Sequence, residues 1–276
     1  MRARLLLYCL FCRGVPIAAT TVPALALAML TGVSPAGAAA GARYVALGDS
    51  YSSGLGAGNY DGSSGACERS ANAYPKRWAA GHAPASFTSV ACAGATTSDV
   101  LNSQVFALKA RTTLVSITIG GNDARFYRIL ETCLLESGSA CLGAISSAES
   151  FVAKQLPARL DATLQTIRAH APKARIVVLD YPEFYDPAKA STCAGISAVK
   201  RTAIDQGANL LDRVISAAAA RNGDTFADVR SHFSGHEICD SRSWLHSVAW
   251  PIDASYHPTG SGQELGYLPA FSAAAG

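Results

Sequence analysis

Ser50 ends an apolar, strand-like run, Tyr44-Val45-Ala46-Leu47-Gly48-Asp49-Ser50, and is flanked by small and turn-forming residues. In open parallel sheets ligands sit beyond the carboxyl ends of strands, so a serine there is a candidate nucleophile. A serine hydroxyl is weak at its free pKa and needs a base and donors for a developing oxyanion. Candidates for both are present. Gly120-Gly121-Asn122-Asp123 ends a second run, Leu114–Ile119. There the Asn122 amide can donate to an oxyanion, and the glycines let the backbone approach a ligand. Gly94, in Ala91-Cys92-Ala93-Gly94-Ala95-Thr96, offers a backbone N–H ahead of a helix start. His257 precedes Pro258, which keeps it out of helical conformation and suits a positioned base. Taken singly, each has an ordinary alternative: a helix N-cap, a β-turn, a loop glycine, and one histidine beside His82, His170, His232, His236 and His246.

The elements that must carry these residues follow a simple order. Short apolar runs occur at Tyr44–Leu47, Leu114–Ile119, Arg175–Leu179 and, more weakly, Thr225–Val229, as expected of parallel strands covered on both faces. Helical stretches lie between them. One covers Ser98–Lys109, and a stripe formed by Val152, Leu156, Leu160, Leu164 and Ile167 is either kinked or restarted by Pro157. A third stripe, from Val199 to Ile215, stops at Asn222-Gly223. Alternating strand and helix predicts an α/β three-layer domain. Gly56–Ser70 and the Cys133–Cys141 excursion read as long loops.

Residues 1–40 read as an export signal cleaved near 38–40, with the functional domain over 41–276. Arg2, Arg4 and Arg13 precede an apolar core and the small stretch Ala36-Gly37-Ala38-Ala39-Ala40. A retained membrane anchor is disfavoured by Pro16, Pro23 and Gly32 and by the lack of a basic flank. Cleavage removes three of 23 Lys and Arg and none of 20 Asp and Glu, leaving 20 of each. Nucleic acid as a partner loses its electrostatic basis. Six cysteines remain of eight. In an exported chain an even number favours disulfides. Fifteen pairings are open to six cysteines, and their succession along the chain favours Cys67–Cys92, Cys133–Cys141 and Cys193–Cys239.

Together, Gly48-Asp49-Ser50, Gly94, Gly120-Gly121-Asn122-Asp123 and His257 resemble, in order and spacing, the four blocks of the SGNH, or GDSL-type, hydrolases. The six cysteines, Val115-Ser116-Ile117-Thr118-Ile119 and Ser255-Tyr256-His257-Pro258-Thr259 resemble the secreted bacterial lipase/esterase branch. The resemblance implies a flavodoxin-like α/β/α fold with a central parallel sheet and a serine carboxylic-ester hydrolase acting on fatty-acyl esters such as triacylglycerols. It implies Ser50 as nucleophile, His257 as base, and the N–H groups of Ser50 and Gly94 with the Asn122 amide as oxyanion donors. One departure stands out. The family's usual acid precedes the histidine by three residues, where this chain has Ala254; Asp253 is one residue further. The histidine is therefore oriented either by Asp253 or by a main-chain carbonyl of Ala254 or Ser255. No metal or organic cofactor is called for, the partner is a lipid or small ester, and the default state is a monomer.

Tyr51, Phe126, Tyr127, Trp244 and Trp250 are candidates for an acyl groove, with the tryptophans read preferentially as core. Other chemistries fit less well. His232, His236 and Cys239 include metal-capable ligands, yet Ser234-Gly235 is poor helix material and H-E-x-x-H is absent. Gly54-x-Gly56-x-Gly58 is neither a dinucleotide fingerprint nor a P-loop. Two alternatives remain on the same fold: a phospholipase of the same mechanism, and a secreted binding protein without chemistry.

Overall fold

The computed structural model describes residues 41–189, 193 and 195–276; the leader expected over 1–40 lies outside the described residues. Five parallel strands form one sheet: β1 (Arg43–Gly48), β2 (Ser86–Ser89), β3 (Leu114–Thr118), β4 (Arg175–Leu179) and β5 (Thr225–Ala227), in the order β2-β1-β3-β4-β5. Tyr44 lies opposite Leu114 and Gly48 opposite Thr118, so β1 and β3 end side by side. This is the flavodoxin-like order, whose direction of winding reverses between β1 and β3 and leaves a crevice beyond their carboxyl ends.

Helices fill both faces. α1 (Ser50–Ser53) continues directly from β1, and α2 (Tyr74–His82) packs with the C-terminal π-helical turn Gly262–Tyr267. α3 (Thr97–Asn102), α4 (Phe126–Leu135), α5 (Gly138–Lys154), α6 (Leu156–His170) and α7 (Ala198–Arg221) form the opposite layer, followed by the short α8 (Arg230–Phe233). α9 (Leu268–Ala275) returns to α2. Tyr44 joins the first layer to the sheet, its ring 5.3 Å from both Trp78 and Phe271. The second layer buries Leu156, Leu160, Leu164 and Ile167 of α6 with Leu211 and Ile215 of α7.

Several expected boundaries move, each for a local reason. The helix expected over Ser98–Lys109 stops at Asn102, and a 3₁₀ turn over Gln104–Ala107 follows. There Gln104 turns inward and both ends of its amide bond the backbone of Gly48. The stripe from Val152 to Ile167 belongs to two helices. Pro157 sits in the first turn of α6, where its missing N–H has no intrahelical acceptor to lose. The Cys133–Cys141 excursion is no loop: α4 and α5 are joined by Glu136-Ser137, and the disulfide ties them. The other two bonds are Cys67–Cys92 and Cys193–Cys239. β5 ends at Ala227 because Asp228 turns to bond Arg230. The half-exposed edge strand β2, Ser86-Phe87-Thr88-Ser89, lacks the apolar run that marks the others.

Buried carboxyls staple the far side of the sheet. Asp180, just after β4, accepts from the Val229 N–H at 2.8 Å, and Asp212 of α7 accepts from the Tyr181 N–H at 3.2 Å. The Arg230 Nε lies 3.4 Å from Asp180 Oδ2 and 4.0 Å from Asp212 Oδ2. Asp205 accepts from the N–H groups of Phe184 and Tyr185. Burial pushes Asp180 and Asp205 up to about 7, and burial with the neighbouring Asp180 raises Asp212. These groups hold protons in the folded chain that the unfolded chain releases near 3.8, so their stabilisation is full below that value and lost as pH rises through about 7. Thermal unfolding is therefore expected to show a lower Tm at about pH 8 than at about pH 5.5, with a shallower slope in Asp205→Asn. A Tm that climbs across this window would overturn the assignment.

Candidate active site

The site begins where β1 ends. Gly48 has φ +116°, and a Cβ there would fall 2.4 Å from the Thr118 carbonyl oxygen, so only glycine lets β1 turn while held against β3. Asp49 is buried and caps α1, its Oδ1 accepting from the Tyr51 N–H at 3.0 Å and from Thr118 Oγ1 at 2.7 Å. Its second oxygen accepts from the Tyr181 hydroxyl. Burial raises Asp49 to about 6 against the pull of these donors. Ser50 is thus the first residue of a helix, where N–H groups have no intrahelical acceptor. Among the described residues its N–H makes no hydrogen bond.

His257 arrives from the other end of the chain. An antiparallel bridge between Leu245 and Pro258, and bonds between the backbones of His246 and His257, fix its loop. Tyr256 before it holds φ +63°, a left-handed conformation that costs a tyrosine about 1–3 kcal/mol and persists only where the surroundings enforce it. Here they do. The Tyr256 carbonyl accepts from the Tyr51 hydroxyl at 2.7 Å, and its own hydroxyl pairs with Tyr185 at 2.6 Å. The residue after Ser50 and the residue before His257 are therefore bonded to each other.

The imidazole Nε2 lies 2.7 Å from Ser50 Oγ, and Nδ1 lies 3.0 Å from the Ser255 carbonyl oxygen. A carbonyl only accepts, so Nδ1 carries the proton and the Nε2 lone pair faces the serine hydroxyl. Burial pushes His257 down to about 4, opposed by the carbonyls of Ser255 and Asp253 and by the charge of Asp253. Of the three orienting groups expected from the sequence, Ser255 is the one bonded to Nδ1. Ala254 instead accepts from the His257 N–H, and Asp253 is exposed on a 3₁₀ turn over Ile252–Ala254.

The remaining predicted residues converge on the same place. Gly94 has φ +78°, and its N–H bonds nothing among the described residues. Asn122 donates one amide hydrogen to the Ala95 carbonyl at 3.0 Å, which fixes the carboxamide and leaves its second N–H available. Asp123 accepts from the N–H and hydroxyl of Thr97 at 2.9 and 2.6 Å, so the two loops are clamped together. The Cys67–Cys92 bond anchors the Gly94 loop two residues upstream. A hydroxyl bonded to a neutral imidazole, beside unpaired N–H groups, is suited to attack a carbonyl carbon and to hold the resulting oxyanion.

These residues open onto a cavity of about 330 Å³. Tyr51, Phe126 and Tyr127 line it as expected, whereas neither tryptophan does. Trp244 stacks on His236, and Trp250, read as core, is 91% exposed beside a turn. The metal alternative fails at Cys239, which is bonded to Cys193.

Residues 46–265 match the model of the GDSL-like Lipase/Acylhydrolase family. The chain belongs to this family. As a GDSL-type acylhydrolase it is 51% identical over 252 residues to Lipase 1 of Streptomyces coelicolor, covering 90% of this chain and 93% of that one. Among solved structures, phospholipase A1 from Streptomyces albidoflavus NA297 is 52% identical with a TM-score of 0.83, over 86% of this chain and all of that one. The extracellular lipase of Streptomyces rimosus is 49% identical with a TM-score of 0.81, over 84% and 98%.

Sequence reasoning overlooked the supports of this acylhydrolase site: Gln104, Tyr181, Tyr256 and Gln263. Gln263 spans Tyr51 and Tyr74, accepting from the Tyr74 N–H at 2.8 Å and donating to the Tyr51 carbonyl at 3.0 Å. Tyr256 stands in Ser255-Tyr256-His257-Pro258-Thr259 with no role of its own there, and the other three sit in no motif and are marked by no local pattern. The Tyr51–Tyr256 bond yields a test. Tyr51→Phe leaves a buried carbonyl without its donor, at about 1–3 kcal/mol. Its kcat on a soluble ester is expected to fall about tenfold, a factor worth about 1.4 kcal/mol. Wild-type kcat would reduce Tyr51 to a packing residue.

Proposed function

We propose that the chain is a secreted serine carboxylic-ester hydrolase of lipase type that cleaves fatty-acyl esters through an acyl-Ser50 intermediate. The observation that carries this reading is the 2.7 Å contact between His257 Nε2 and Ser50 Oγ at the mouth of a largely apolar cavity. Ser50 Oγ attacks the ester carbonyl carbon while its proton passes to Nε2. The Ser255 carbonyl accepts from Nδ1–H and stabilises the imidazolium that forms. The N–H groups of Ser50 and Gly94 with the free Asn122 amide hydrogen hold the oxyanion. As the C–O bond breaks, Nε2–H protonates the departing alcohol. Water then attacks the acyl carbon, losing a proton to Nε2, which passes it to Ser50 Oγ as the acyl–oxygen bond breaks and the carboxylic acid leaves.

A lipase of Streptomyces coelicolor and the extracellular lipase of Streptomyces rimosus, both near half identical in sequence, support the lipase reading. Similarity to phospholipase A1 from Streptomyces albidoflavus NA297 favours a second reading, in which the ester bond cleaved belongs to a phospholipid. Three disulfides fit an oxidising destination, and no described helix is long and apolar enough to cross a membrane. Residues 1–40 serve in this reading as the export signal, residues 41–276 as the hydrolase, and the enzyme acts as a monomer.

Fluorophosphonate labelling followed by intact mass tests the chemistry. One adduct is expected on the wild type, none on Ser50→Ala, and a much slower reaction on His257→Ala. No adduct on folded protein makes the chain a binding protein on this fold. Asn122→Ala is expected to lower kcat by about 10²–10³. Asp253→Asn is expected to stay within about threefold of wild type, since no carboxylate hydrogen bond is lost; a drop near that of a catalytic-triad acid, about 10⁴, would make Asp253 the orienting group.

The pH dependence follows from the buried imidazole. Only neutral His257 accepts the Ser50 proton, and burial lowers its pKa from 6.5 to about 4. As pH falls, kcat/KM is expected to hold through 6.5 and then drop, with its midpoint well below that value. A midpoint at or above 6.5 would contradict the geometry.

A further inference from the structure

The cavity walls divide into two sets. Ser50, Gly94, Asn122 and His257 stand at one end. The other end is formed by Leu130 of α4, Ile145 and Val152 of α5, and Ile204, Ala208 and Leu211 of α7. Those six side chains are buried, so the cavity runs from the serine into the second helical layer and not along the surface. An apolar void in a core is destabilising because its lining lacks contacts. Apart from the half-buried Glu149 of α5, the inner end is apolar and offers water no partners.

Gly207 stands on this inner wall, in the middle of α7. Glycine is unfavourable inside a helix relative to alanine. Packing does not require it either: a Cβ on Gly207 would meet only Ile145 Cγ2, at 3.7 Å, an ordinary contact. Helix geometry and packing thus both accept a side chain at this position. A side chain longer than a methyl would reach into the cavity that Gly207 and Ile145 both line. Ala208 beside it and Ala148 across it on α5 are also small.

With the acyl groove placed in this cavity, we propose that Gly207 of α7 sets how long an unbranched hydrocarbon tail it accepts from the ester bound at Ser50. The proposal rests on the reading of Ser50 as the acylated residue and selects among its substrates. An acetyl group leaves the inner end empty, whereas a medium or long saturated chain restores the missing contacts. The tail leaves the carbonyl at Ser50, passes between α4 and α5, and ends against α7. Burying each methylene is worth about 0.8 kcal/mol, or about fourfold in kcat/KM, until the space is filled.

The test compares kcat/KM for p-nitrophenyl acetate, butyrate, octanoate and dodecanoate in wild type, Gly207→Leu and Ala148→Leu. The quantity read is the ratio of dodecanoate to butyrate, because misfolding of a fraction of the protein lowers both alike. Wild type is expected to favour the long ester, and each variant to lower the ratio at least tenfold. A wild-type ratio near one, or ratios unmoved in both variants, would overturn the channel. Should one variant not fold, the other decides, since it narrows the channel from the opposite wall. Wild type that hydrolyses none of the four esters overturns instead the reading of Ser50 on which the channel depends.

Discussion

Asp49 is a carboxylate placed where water does not reach, and the rest of the site depends on the donors that keep it there. Burial alone makes such a charge expensive, and three hydrogen bonds offset the loss of solvent. Each donor comes from a different segment: the Tyr51 N–H opens α1, Thr118 ends β3, and Tyr181 follows β4. Tyr181 extends the chain further, since its oxygen accepts from the Gly121 N–H at 3.2 Å. A single residue thus aligns the serine turn, the paired strand ends and the glycine-rich loop. The aspartate of the Gly48-Asp49-Ser50 block is a positioning residue by this account, one residue removed from the chemistry it supports.

The apolar surroundings have two effects that belong together. They exclude water from the place proposed for an acyl chain, and they favour neutral His257 by making its charged form costly. An imidazole held largely neutral by its surroundings is obtained without a carboxylate hydrogen bond. The same exclusion strengthens the hydrogen bonds available to an oxyanion. Against this, the site must fix a histidine whose loop is remote in sequence from the serine, and it does so by bonding Tyr51 directly to Tyr256.

The strand pattern was readable because β1, β3 and β4 are buried along most of their length and therefore mostly apolar, whereas β2, at a half-exposed edge, left no such mark. Helices were legible as stripes, but their ends were not. Asn102 ends α3 because Gln104 is drawn to Gly48, a contact between segments that no local pattern encodes. The chemistry-bearing residues stood out through their turn chemistry: Ser50 after Gly48, Asn122 after two glycines, His257 before a proline. The orienting group for His257 stayed open between a carboxylate and two carbonyls. Deciding among them needs the path of the loop, which Tyr256 bends into a left-handed conformation that its sequence neighbours do not demand. Gly207 was equally silent, because a glycine in a helical stripe reads as a mild defect until the space beside it is seen.

The use of a main-chain carbonyl to hold His257 also changes what mutation can do to the site. A triad that relies on an aspartate can lose it through a single codon change. The Ser255 carbonyl is present whatever side chain the codon specifies, so no substitution at that position deletes the acceptor. What remains vulnerable is the course of the backbone: an insertion or deletion between Pro251 and Pro258, or loss of the Ser255 hydroxyl bond to the Ala249 N–H at 2.9 Å that shapes the loop. In such a site the placement of the histidine is set by loop length more than by the identity of any one side chain.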